Sequence, residues 1–94
     1  MHEKEKIRTD IQDRLDRFDS QLDQLKSLAE TGSAPSETAK EARDRILRKR
    51  AIVDRKVDEL MASTPENRAS CQTELTQYLN DIDTELRRAL ALFA

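Results

Sequence analysis

Residues 7–29, IRTDIQDRLDRFDSQLDQLKSLA, decide the fold. Their apolar side chains fall at Ile7, Ile11, Leu15, Phe18, Leu22, Leu25 and Ala29, in steps of 4, 4, 3, 4, 3 and 4. Steps of three and four keep side chains on one side of an α-helix, whereas a half-buried strand needs every second residue apolar. Almost only charged and amide residues lie between them, so the apolar seam is narrow and the rest of the cylinder faces water. Asp10 and Arg14, like Asp13 and Arg17, stand in the i,i+4 order that favours ion pairs along a helix. The spacing predicts a first helix over about 3–31.

Beyond this stretch, residues 31–36 hold the only glycine and one of the two prolines. Gly32 stands where a left-handed residue closes a helix, so 32–35 reads as a linker. A second helix over about 36–62 has a seam of Ala39, Ala42, Ile46, Lys49 or Arg50, Val53, Val57 and Leu60. Leu47, Ala51, Ile52 and Met61 broaden it to the width a middle helix with two neighbours needs. Next, Ser63-Thr64-Pro65-Glu66 supplies a hydroxyl N-cap, a proline for the first helical position and a first-turn carboxylate. That makes 63–65 a second linker and 65–92 a third helix, with a seam of Cys71, Leu75, Tyr78 or Leu79, Ile82, Leu86, Ala89 or Leu90, and Phe93. Each helix is roughly 40 Å long at about 1.5 Å per residue, and such short linkers do nothing but reverse the chain. The expected fold is all-α, an antiparallel up-down-up three-helix coiled coil, with 1–94 a single domain.

Composition agrees. Charged residues make up 38%, the only aromatics are Phe18, Tyr78 and Phe93, and a lone Cys71 excludes an internal disulfide. No run approaches the roughly 20 apolar residues of a membrane span, and the first residues lack a signal peptide's apolar core, so the expected location is cytoplasmic. Charge is uneven: residues 1–30 carry six basic and eight acidic side chains, 31–62 eight and six, and 63–94 three and five. A basic middle helix between two acidic ones predicts ion pairs across both seams.

Catalytic signals are missing. His2 is the only histidine, which leaves no set for Ser-His-Asp, Cys-His or His-ligated metal chemistry within one chain. One glycine cannot build a phosphate loop, and the Glu-x-x-His pairs of bundle metalloenzymes are absent. The expectation is a protein that is not an enzyme and has no cofactor, metal or small-molecule substrate. Asp81, Asp83 and Glu85 read as a solvated acidic face on which only Asp81 and Glu85 share a side, and Cys71 as a core residue.

Two features point outward. Residues 43–50, RDRILRKR, supply Arg43, Arg45, Arg48, Lys49 and Arg50, continued by Arg55 and Lys56. The acidic pI of 5.4 and the lack of interleaved aromatics argue against nucleic acid. Within this run Lys49 or Arg50 points near the seam, stem along the core and charge at an edge carboxylate, as a polar layer that fixes register. The chain's last residues, with Leu90, Ala91, Leu92 and Phe93, are apolar around more circumference than one seam buries, leaving Ala91 and Leu92 as surplus for a second subunit, a partner's groove or a lipid surface.

The layout of residues 15–28, 39–60 and 86–93 resembles a group of small bacterial three-helix coiled-coil proteins. These have spaced leucines first, an Arg/Lys/Ala-rich middle helix, and a closing run of Leu and Ala before a final Phe. Members tend to carry a Trp early in the third helix, where this chain has none. Most lack an assigned activity, so the resemblance implies architecture. The expected role is an interaction or scaffolding module that binds a protein partner or itself. The alternative is a binder of anionic membrane or nucleic acid through basic helix 2 and the apolar C-terminus.

Overall fold

The computed structural model describes residues 3–32 and 34–94. His2 lies outside them. Three helices of 27 residues each, α1 (Glu3–Ala29), α2 (Ser36–Ala62) and α3 (Pro65–Ala91), pack side by side into a rod measuring 49 × 17 × 17 Å. No strand occurs among the described residues.

In α1 the seam lies where the spacing puts it: Ile11, Leu15, Phe18, Leu22, Leu25 and Ala29 are buried, and Ile7 is half-buried against the same core. From α2 come Ala39, Ala42, Ile46, Val53 and Leu60, and from α3 Leu75, Leu79, Ile82, Leu86 and Ala89. Leu79 and Ala89 therefore take the inward positions, with Tyr78 and Leu90 half-buried beside them. The predicted breadth of the α2 stripe is corrected in part. Ile52, Val57 and Met61 are half-buried, but Ala51 is exposed and Leu47 is 38% exposed. These two lie about 140° and 100° around the helix from Ile46, past the reach of either neighbour.

The core tapers along the rod. Large aliphatic side chains and Phe18 fill most of it, while the end near Gly32 is built on Leu25 and four alanines, Ala29, Ala39, Ala42 and Ala89. Leu90 and Phe93 fold over that small-residue end.

The helix ends differ from expectation in detail. α1 stops at Ala29, not 31, where the Thr31 N–H reaches back only three residues to the Leu28 carbonyl (3.2 Å), its hydroxyl donates to the same oxygen (2.7 Å), and Gly32 turns the chain at φ +75°. α3 stops at Ala91, because Leu92 and Phe93 likewise bond three residues back. Thr64 occupies the predicted N-cap, but only its carbonyl works there, accepting the N–H groups of Asn67 and Arg68 at 3.0 Å each. Its hydroxyl makes no cap. Ser63 instead closes α2, its hydroxyl donating to the Leu60 carbonyl at 2.6 Å.

A longer-range cap completes that end. The Lys4 ammonium of α1 donates to the carbonyls of Met61 (3.1 Å) and Ser63 (2.8 Å), where the dipole of α2 favours a cation. Beside it Glu3 and Arg68 join α1 to α3 at 3.5 Å.

Candidate interaction surface

Between Ile46 and Val53 the seam of α2 has no single apolar residue, because positions 49 and 50 straddle it. Lys49 leans to one side and donates to Glu85 of α3 at 3.1 Å. Arg50 leans to the other and forks onto both carboxylate oxygens of Asp19 in α1, at 3.2 and 3.3 Å, while also bonding Asp54 one turn on. Both residues thus form the polar layer, each fastening α2 to a different neighbour. Arg45 adds a second bond to Glu85 at 3.2 Å, and Lys56 bridges to Glu74 at 2.6 Å and Glu59 at 3.4 Å. The predicted pairing of a basic middle helix with acidic flanks is present across both seams.

Burial alone would push the Glu85 carboxyl up, but the bonds and charges of Lys49 and Arg45 outweigh it and hold the group below its ordinary value. Burial opposes the Arg50 charge, yet Asp19 and Asp54 raise that guanidinium above its usual value. Lys56 is likewise raised by its bonds to Glu74 and Glu59. The expected solvated acidic face is corrected accordingly: Glu85 belongs to the α2 clasp, Asp83 pairs with Arg87 at 3.0 Å, and Asp81 alone stays exposed.

Of the seven α2 cations singled out, Arg43, Arg48 and Arg55 remain. Arg48 and Arg55 are exposed on α2 and make no ion pair among the described residues. Arg43 is half-buried, and its Nε finds no hydrogen-bond partner among the described residues. It lines a recess of about 210 Å³ between α1 and α2 with Lys26, Lys40, Glu30 and Asp44. At the C-terminal end Leu92 is 43% exposed and Ala91 exposed, in line with their surplus, whereas Leu90 and Phe93 pack against the alanine-built core and are not free.

One surface escaped the sequence. Helices α1 and α3 approach each other less extensively than either approaches α2. Along this looser seam lie a recess of about 160 Å³ over Ile7, Ile11, Leu75 and Leu79 and a notch of about 310 Å³ at Arg14, Arg17, Phe18 and Arg87. The predicted pairs Asp10–Arg14 and Asp13–Arg17 do not form. Arg14 turns across the seam to Asn80 (3.3 Å) and lies over the Phe18 ring, 5.8 Å from its centre. What would have revealed the surface is the offset between the two parallel helices. Glu3 meets Arg68 and Arg14 meets Asn80, offsets of 65 and 66 residues that also bring Arg17 beside Asp83.

Among the described residues no group of His, Cys, Asp and Glu is placed to hold a metal ion, and no helix is long and apolar enough to cross a membrane. Cys71 is half-buried against the main core. The fold defines the chain as an all-α three-helix bundle with ion-paired seams. Compared with protein-family models, curated proteins and solved structures, it has no significant match in any of the three.

Proposed function

We propose that this chain is a cytoplasmic, non-catalytic interaction or scaffolding module, binding a protein partner or a second copy of itself through its outer faces and the end of α3 around Leu92. The observation that supports this reading is the use of Arg45, Lys49, Arg50 and Lys56. All four bridge to carboxylates of neighbouring helices, so these polar groups brace a rod whose long sides are left for contact. Kinship with small bacterial three-helix coiled-coil proteins belongs to the same proposal and rests on the sequence layout.

Light scattering behind size exclusion, repeated across protein concentrations, tests self-association. Co-purification from source cells tests a partner. A fixed-ratio complex, or a concentration-dependent dimer weakened by Arg48→Glu with Arg55→Glu or by Leu92→Asp, supports the proposal. A concentration-independent monomer that recovers no partner at a fixed ratio overturns it.

Binding to anionic membrane or nucleic acid has less to draw on, since four of the seven α2 cations are engaged and Leu90 and Phe93 pack inward. Co-sedimentation with anionic vesicles and a duplex-binding assay at low salt decide it. Salt-sensitive binding in either would favour that alternative.

A further inference from the structure

The α1/α3 seam joins an apolar recess to a cluster of arginines. Its first recess has an apolar floor of Ile7, Ile11, Leu75 and Leu79, edged by Asp10. Its second, contiguous through the shared Arg14, brings Arg14, Arg17 and Arg87 together with Asp83 and Gln21 over Phe18. Three guanidiniums facing one carboxylate is the reverse of the helices that build the notch, since both α1 and α3 carry more acidic than basic side chains.

We propose that this seam is a docking groove for an amphipathic helix of a partner protein that carries one carboxylate on its docking face. The helix lies along α1 and α3 as a fourth member of the bundle, with an apolar side chain over the first recess and a carboxylate in the arginine notch. The proposal rests on the interaction-module reading and names the partner's chemistry. Shallowly crossed helices leave a groove that a further helix fills at a similar angle. Ile11 and Phe18, which mark the two recesses, are separated by two helical turns, about 10 Å. The occupant therefore carries its apolar residue and its carboxylate about seven positions apart on one face.

The notch is partly organised in advance. Arg14 is held by Asn80 at 3.3 Å and by the Phe18 ring. Arg17 is exposed with no partner among the described residues, and Arg87 is 76% exposed, so both have donors for a carboxylate fork. Beyond the notch, Asp10 and the acidic balance of α1 and α3 repel a repeated phosphate charge. A single carboxylate next to an apolar side chain fits where a polyanion does not.

The test uses the full chain and two labelled helical peptides, alike except that one carries Leu and Glu seven positions apart and the other Leu and Gln. Fluorescence anisotropy is expected to give about tenfold tighter binding of the Glu peptide, weakening with salt. Arg17→Glu with Arg87→Glu should abolish that preference while circular dichroism and Tm stay near wild type. Lys40→Glu, on α2 at the α1/α2 recess, should leave it intact. Equal binding of both peptides, binding of neither at millimolar concentration, or full binding by the double variant overturns the proposal. So does saturable binding of inorganic phosphate at the notch without peptide binding. A fixed-ratio cellular complex that survives Arg17→Glu with Arg87→Glu removes this groove while leaving the interaction-module reading standing.

Discussion

Arg50 is 19% exposed and Asp19 49%, so their fork lies where water still screens part of the attraction. Arg50→Ala is expected to cost about 1 kcal/mol, which for a domain of this size lowers Tm by roughly 4–8 °C. Arg50→Met, which keeps the stem along the core, should lose less. Urea titration of the two variants measures the difference, and equal losses would mean packing is not involved. Glu85 supplies a pH dependence whose sign follows from its depressed pKa. An unfolded glutamate titrates near about 4.3, so the stabilisation is complete above that pH and is lost as pH falls through the lower folded value. Glu85→Gln should therefore flatten the stability curve below about pH 4.5, and an unchanged acid limb would assign that dependence elsewhere. The polar layer was legible in the sequence because Ile46 and Val53 leave a gap at Lys49 and Arg50. Their partners were not, since Glu85 lies 36 residues from Lys49 and Asp19 lies 31 from Arg50. Pairing at that range depends on helix rotation, which spacing within one helix does not encode.

The helices themselves were read nearly to their ends, because three- and four-residue steps persist through each and glycine and proline mark the breaks. Capping was the least legible part. Ser63 and Thr64 are both plausible caps by type, and only the backbone path shows that Ser63 closes α2 while Thr64 acts through its carbonyl. The Lys4 cap is invisible locally, since it reaches 57 and 59 residues along the chain. Gly32 was identified correctly, and its φ of +75° explains the choice of residue. A Cβ there meets nothing within 4 Å, so Gly32→Ala carries backbone strain without a clash and should cost about 1 kcal/mol. Gly32→Asn should cost less, because asparagine tolerates the left-handed region better. Thermal melts of the two variants give the comparison, and no loss with alanine would mean that the linker relaxes to another path.

At the scale of the molecule, the bundle followed from one amphipathic period repeated three times. The α1/α3 notch did not, because the offset of 65 to 66 residues between these helices emerges only when both linkers are in place. The unequal seams also set an order of opening. α2 and α3 share the most extensive contact, while α1 is tied to the pair by one linker and the less extensive seams. Amide hydrogens of α1 should exchange through a partial opening at low denaturant, whereas those around Ile46 and Ile82 wait for global unfolding. Native-state hydrogen exchange reads this directly, and identical protection in all three helices would make the bundle a single cooperative unit. If α1 departs while the α2–α3 hairpin persists, the vacated face accepts α1 from another molecule as readily as its own. Concentrated protein held near its melting point should then convert slowly into exchanged dimers that, once cooled, are trapped by the same contacts that hold the three helices of one chain together.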